Sequence, residues 1–306
     1  MSTIHVACAA DERYLPHCAT ALHSLSARTP AARIEVHLLH PPTLEPAHVG
    51  RLRSIADPDT LSIVAHAIEP SAVSGLPGWG RIPQIMWYRI LLPELLPGVD
   101  RVLYLDCDVL VVEPLHDLWE LDLESSYVAA VTNVPERHML GHARRLGLAG
   151  PERYFNSGVL LMNLELMRRD RCSTALRDCA LENRDRLLWP DQDALNLVLS
   201  DRRLDLHPRW NLMNSIRCFP WSRDLLDAAA VEQAVHNPAI VHFEGPRQNK
   251  PWHILCDHPC RDAYFAHRRQ TPWPRVRREG ITPLNLIRTL RSRAPGPRRS
   301  NHGFRS

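Results

Sequence analysis

Val102-Leu103-Tyr104-Leu105-Asp106-Cys107-Asp108 runs an apolar stretch straight into two carboxylates spaced i and i+2. A stretch without polar alternation reads as a strand buried on both faces, the habit of a mostly parallel sheet covered by helices. In open α/β sheets ligands bind beyond the carboxyl ends of the strands, so the two acids fall where chemistry is expected. Extended geometry puts Asp106 and Asp108 on one side of the chain. Two such carboxylates repel unless a cation joins them, and hard oxygen donors suit Mn²⁺ or Mg²⁺ bridging to a diphosphate. Taken alone, such a triplet is more commonly a solvated strand-to-loop turn.

Outward from this segment the pattern alternates. Residues 4–10 and 34–39 read as strands around an apolar helical spacing over 15–27, a βαβ opening. Further strand signals lie at 61–64, 128–131, 158–163 and 240–243, and helical ones at 44–56, 84–92, 164–186 and 194–199. This alternation predicts one α/β domain, Rossmann-like, with a mostly parallel central sheet. At 306 residues and 44% hydrophobic the chain is long enough for one large core. The pattern loses its strands after Cys260, which places a boundary near residue 270 and divides the chain into a domain, 1–270, and a C-terminal extension, 271–306. From Arg268 to Ser306 eleven arginines face the single acid Glu279, so this end carries +10 while the net charge of +3 leaves −7 on the rest. Such a tail reads as disordered or as attracted to an anionic membrane surface. It lacks the interleaved aromatics and the motifs of nucleic-acid binding, so no nucleic-acid partner is expected. No apolar run approaches the roughly 20 residues that cross a bilayer. Met1 to Ala10 lacks a basic n-region and reads as a strand, so a cytoplasmic location is expected, with peripheral contact at the inner face of the membrane. The eight cysteines are scattered as reduced thiols would be, and His253, Cys256, His258 and Cys260 match no standard zinc spacing.

Three more motifs carry chemistry. In Phe155-Asn156-Ser157-Gly158 a polar turn feeds a buried strand; Gly158 permits close backbone approach, and the Asn156 amide suits sugar hydroxyls. In Trp189-Pro190-Asp191-Gln192-Asp193 the first acid reads as a helix N-cap, with Asp191 and Gln192 pointing into the crevice. An unpaired buried glutamine is costly, which argues for a ligand partner there. The stretch from Ile240 to Trp252 delivers His242, whose imidazole suits a third ligand position beside two carboxylates, then Gly245 and Lys250. Lys250 is the only lysine, against 36 arginines, and supplies the point charge that a departing diphosphate needs. The haloacid dehalogenase-like phosphohydrolases also use an Asp-x-Asp triplet, but they place it after the first strand and need a downstream lysine and a further acidic pair. Here the triplet is mid-chain.

Together these motifs resemble glycosyltransferase family 8, which includes bacterial lipopolysaccharide galactosyl- and glucosyltransferases and glycogenin. The resemblance spans about 4–252 and rests on Ala9-Ala10-Asp11 with Tyr14, Asp106-Cys107-Asp108, Asn156-Ser157-Gly158, Asp191 to Asn196, Trp210-Asn211, and His242 through Trp252. It implies a GT-A type nucleotide-diphospho-sugar transferase domain that uses a UDP-sugar and Mn²⁺ and retains anomeric configuration, acting on a glycan or lipid-linked saccharide acceptor. On the same basis Asp106, Asp108 and His242 are the expected metal ligands, and Ala9, Asp11 and Tyr14 the uridine contacts. Arg89, Asp106, Asn156, Asp191 and Gln192 are expected at the donor sugar, and Gly245 and Lys250 at the diphosphate. Gln192 would lie nearest the reacting carbon, with Asp191 the other catalytic candidate. The span from His242 to Lys250 exceeds the compact His-x-x-Gly-x-x-Lys of some members, which leaves Lys250, Arg247 and Asn249 open for the diphosphate contact; Arg13 replaces an asparagine of some members. The alternative of another class is a non-catalytic nucleotide-sugar or glycan-binding protein of the same fold.

Overall fold

A computed structural model of the chain describes residues 3–30, 32–57, 59–78, 84–275 and 277–293. Ten strands occur among them: β1 (Ile4–Ala9), β2 (Ile34–His40), β3 (Leu61–Ala67), β4 (Arg101–Leu105), β5 (Val109–Val111), β6 (Val128–Thr132), β7 (Phe155–Asn163), β8 (Arg203–Asp205), β9 (Leu212–Met213) and β10 (Ile240–His242). Seven form the central sheet in the order β3-β2-β1-β4-β7-β6-β8, and β5-β10-β9 form a smaller one. The large sheet is mostly parallel, as the alternation of elements requires. β7 runs against both of its neighbours, β4 and β6.

The unbroken apolar runs are explained by two cores. Leu103 and Leu105 of β4 join Val159 and Leu161 of β7 on one face, while Val102, Tyr104, Leu160 and Met162 fill the other. The helix Leu15–Arg28 covers the first face with Leu15, Cys18, Ala19, Leu22 and Leu25, and it follows Asp11, whose carboxylate accepts the Tyr14 N–H at 2.9 Å.

Several local expectations are corrected. The helical spacing at 84–92 is a 3₁₀ helix, Gln84–Leu91, followed by a single α turn. The stretch 164–186 is two helices, Leu164–Arg169 and Cys172–Glu182, parted at Arg171, whose φ of 54° lies in the left-handed region. Asn156 and Ser157 lie inside β7 and form no turn. The helix expected at 194–199 begins at Pro190, a residue whose missing N–H costs nothing in the first turn.

Between β6 and β7, residues 133–154 form short helical turns at Arg137–Met139, His142–Leu146 and Pro151–Arg153. Beyond residue 270 the chain returns to the body: Ile254 N–H donates to the Glu279 carbonyl at 3.1 Å, Glu279 N–H to the Trp252 carbonyl at 3.0 Å, and the Arg51 guanidinium lies 4.6 Å over the Trp273 ring. Ile281 and, in the helix Pro283–Arg293, Leu284, Leu286 and Ile287 face solvent. No helix among the described residues is long and apolar enough to cross a membrane.

Because β7 is hydrogen-bonded on both sides and buried on both faces, Leu161→Ala is expected to destabilise the domain by about 3 kcal/mol. Equilibrium urea unfolding of both chains measures this, and a loss below about 1 kcal/mol would contradict the placement of β7 at the centre.

Candidate active site

The end of β4 and the start of β7 share one edge of the sheet because the two strands are antiparallel. The Asp106 N–H continues the ladder to the Gly158 carbonyl at 2.8 Å, and the chain then turns through Cys107 to Asp108. β10 approaches from the smaller sheet, its Phe243 N–H donating to the Asp108 carbonyl at 2.9 Å. His242 Nε2 thereby stands 3.3 Å from Asp108 Oδ1 and 3.9 Å from Asp106 Oδ2. Donor atoms of Asp106, Asp108 and His242 all lie within 4.8 Å of one another. The Asn211 side-chain oxygen Oδ1 accepts the Nδ1–H of His242 at 3.0 Å, a tautomer that leaves the Nε2 lone pair facing the carboxylates. Two carboxylates and an imidazole oriented from behind fit a divalent metal ion.

Lys250 donates to Asp108 Oδ2 and, at 2.7 Å, to the Phe243 carbonyl. Burial opposes ionisation of Asp108, but Lys250 and His242 beside it hold its carboxyl well below the ordinary range. His242 is shifted the opposite way: burial disfavours its charge, and Asp108 outweighs that and raises it. Of the three residues considered for a diphosphate, Lys250 is the buried cation, Arg247 is exposed, and Asn249 donates to the Glu244 carbonyl at 3.0 Å. Gly245 makes this turn with a φ of 84°.

Arg89, only 5% exposed, reaches from the 3₁₀ helix across the crevice. It donates to Asp106 Oδ1 at 3.0 Å and to the Ser157 carbonyl at 2.5 Å, lies 3.5 Å from Asp191 Oδ2, and stacks 4.3 Å over Tyr104. Burial pushes the Asp191 carboxyl up to about 6; Arg89 opposes the shift and Asp106 adds to it.

Asp191 is in the first turn of its helix and does not cap it, since the N-cap position is Trp189. Nor is Gln192 left for a ligand to satisfy. Its Oε1 accepts from Ser157 N–H at 2.9 Å, from the Ser157 hydroxyl at 3.3 Å and from Asn156 Nδ2 at 3.3 Å, and its Nε2 donates to the Tyr154 hydroxyl at 3.1 Å. Tyr154 in turn donates at 2.5 Å to Asp193, which also accepts from His142 at 2.9 Å and from the N–H groups of Leu188 and Trp189. Asn156 Oδ1 accepts from Gly158 N–H at 3.0 Å and Asn211 Nδ2 at 2.9 Å, so Asn211 joins the β7 start to His242. Sequence reasoning gave no role to Tyr154, His142 or Asn211, because each acts through a partner distant in the chain. At the other wall, Ala9 closes β1 with its carbonyl accepting from the Cys107 thiol at 3.2 Å, and Tyr14 meets Trp252 edge-on at 6.4 Å.

Gly158 has no room for a side chain: a Cβ there would stand 2.3 Å from His242 Cε1 and 2.7 Å from Asp106 Oδ2. Gly158→Ala is therefore expected to displace the His242 ring or the Asp106 carboxylate and to diminish the stabilisation expected of a divalent metal ion added to the parent chain. Scanning fluorimetry with and without Mn²⁺ tests this, and an undiminished rise would refute it.

With this geometry in view, the likenesses to known proteins are specific. A profile of glycosyl transferase family 8 matches residues 5–256. General stress protein A of Bacillus subtilis (strain 168) is 34% identical over 213 residues, 68% of this chain and 70% of that protein. A lipopolysaccharide 1,3-galactosyltransferase of Salmonella typhimurium is 23% identical over 276 residues, 88% of this chain and 79% of that one. The crystal structure of the galactosyltransferase LgtC in complex with donor and acceptor sugar analogs superposes with a TM-score of 0.77 at 26% identity, over 88% of this chain and 96% of that one. The matched span runs from the first strand past the last of the site residues, and the chain belongs to glycosyl transferase family 8, as a glycosyltransferase with the GT-A type fold.

Proposed function

We propose that this chain is a retaining, Mn²⁺-dependent hexosyltransferase that moves galactose or glucose from a UDP-sugar to a hydroxyl of a glycan or lipopolysaccharide-type acceptor. The observation that carries this reading is the convergence of Asp106, Asp108 and His242, with Lys250 alongside, at the carboxyl end of a central strand. Relatives named as lipopolysaccharide galactosyl- and glucosyltransferases support the sugar and acceptor classes. Bound by these three residues, Mn²⁺ would supply Lewis-acid neutralisation of the charge on a leaving diphosphate.

The chain's own groups do the rest. Lys250, a compact cation within reach of the same oxygens, complements the diphosphate beside Gly245. Ala9, Asp11 and Tyr14 form the uridine wall at the end of β1. Arg89 holds Asp106 and Asp191 in fixed positions, and Asp191, Asn156 and Gln192 face the donor sugar. With its Oε1 committed to three donors, Gln192 is a weak nucleophile and a good fixed dipole. This favours same-face substitution, in which the leaving phosphate takes the acceptor proton; Asp191 is the carboxylate placed for the two-step alternative. Residues 133–154 and the C-terminal extension would form the acceptor wall. The exposed Leu284, Leu286 and Ile287 with the surrounding arginines suit contact with an anionic membrane surface.

Calorimetric titration of UDP is expected to give binding with Mn²⁺ and none with EDTA. Asp108→Ala should lose this binding and lower transfer by at least about 100-fold, the scale of several kcal/mol of charge stabilisation, and Asp108→Asn, which keeps an acceptor for Lys250, should do the same with a smaller loss of stability. Full transfer by Asp108→Ala would overturn the reading. The pH dependence has a defined sign. If ionised Asp191 is needed, kcat/KM falls as pH drops through about 6, where the carboxyl takes up its proton. A cation bound nearby favours the carboxylate, so the same limb in kcat lies at lower pH. Asp191→Asn should abolish the limb, and a limb that persists in that variant assigns it elsewhere.

A further inference from the structure

A second cluster of metal-ligating side chains stands on the same sheet, remote from the first. His5 of β1 lies directly opposite Glu35 of β2 in the parallel register, and His37 follows two residues on, so all three project from one face. His5 Nδ1 is 3.1 Å from His37 Nε2, and Glu35 Oε1 is 3.7 Å from the former and 3.5 Å from the latter. A point equidistant from these three atoms lies about 2.0 Å from each, the length of zinc–nitrogen and zinc–oxygen bonds. The two rings are stacked, with centroids 5.4 Å apart and planes 17° from parallel.

The surroundings set the chemistry of this triangle. His37 Nδ1 is 3.2 Å from His66 Nε2 on β3. Donation of the Nδ1–H to His66 leaves the His37 Nε2 lone pair facing His5 and Glu35, the outer hydrogen bond that orients most metal-bound histidines. Burial, helped by His66 and His5, lowers His37 to about 4, and burial lowers His5 against the pull of Glu35. His37 is 4% exposed, but His5 and Glu35 are 24% and 32% exposed, which leaves a solvent-facing position for a fourth ligand.

We propose that His5, Glu35 and His37 form a second divalent-metal site, of the zinc class, at the opposite end of the sheet from Asp106 and Asp108. His5 precedes Ala9, the level of Asp106, by four residues, or about 13 Å of strand. Two imidazoles and one carboxylate favour Zn²⁺ or its borderline neighbours, whereas the oxygen-rich first site favours Mn²⁺ or Mg²⁺. A metal held by one residue of β1 and two of β2 clamps the opening βαβ unit at its base and binds only the folded chain, so its occupancy raises stability.

The test uses the tag-free full-length chain carrying Asp106→Asn and Asp108→Asn, which removes the competing site, stripped with chelator and titrated with ZnCl₂ by calorimetry. One equivalent of Zn²⁺ is expected to bind and to raise the melting temperature. His5→Gln or Glu35→Gln should weaken that binding by at least about tenfold, and His66→Ala by about 10- to 100-fold, each read against its own metal-free melting temperature. Absence of zinc binding in the Asp106→Asn/Asp108→Asn chain, or binding that His5→Gln and Glu35→Gln leave undiminished, would overturn the proposal. Co²⁺ added to the same chain reads the donors without altering the cluster. Intense four-coordinate absorption bands are expected, and weak six-coordinate bands alone would also overturn it.

Discussion

A buried carboxylate must be paired, and Asp108 is paired twice from outside its own sheet. Its side chain, 13% exposed, meets His242 and Lys250, both delivered by β10 and the turn after it. Removing both partners would leave an uncompensated charge in a largely dry environment, a penalty of several kcal/mol. The smaller sheet is explained by this requirement. β5 continues from Asp108, β10 runs against it with His242 opposite Val109, and β9 flanks β10 just after Asn211, which orients the imidazole. The two sheets are thus joined at the functional edge, and the site is part of what holds them in register.

Charge type is matched to geometry on both sides of the crevice. Arg89 uses a planar fork, reaching Asp106, the Ser157 carbonyl and the Met86 carbonyl at once while stacked on Tyr104. A lysine could not reproduce that set of directions. At Asp108 the opposite holds: the cation fits between a carboxylate and the Phe243 carbonyl, a place for a compact ammonium. In a chain that otherwise uses arginine for every basic position, the single lysine falls where a guanidinium is too broad.

How far this was legible in the sequence depends on whether a residue's role is local. β4 and β7 declared themselves because burial on both faces removes polar alternation, and the parallel character followed from the order of elements. The aspartates beyond β4 and the histidine of β10 were readable because strand ends point their side chains at the crevice. β5, β8 and β9 were not, since two or three residues carry no periodicity. The break at Arg171 depends on one left-handed residue that has no glycine to announce it. Gln192 was expected to lack protein partners, and Asp191 to be a cap, because Tyr154 and the β7 start come near them only in three dimensions.

The segment 133–154 leaves β6 and returns as β7, two strands already bonded to each other. Its ends and its middle are anchored: Tyr154 and, midway, His142 both grip Asp193, and Asn133 meets Asn156 at 3.4 Å. Between them the Arg186 guanidinium donates to the Arg145 and Leu146 carbonyls at 2.7 and 3.1 Å and Trp221 Nε1 to the Pro135 carbonyl at 3.0 Å, so the segment is braced along its length and presents a pre-formed wall beside the helix that carries Gln192.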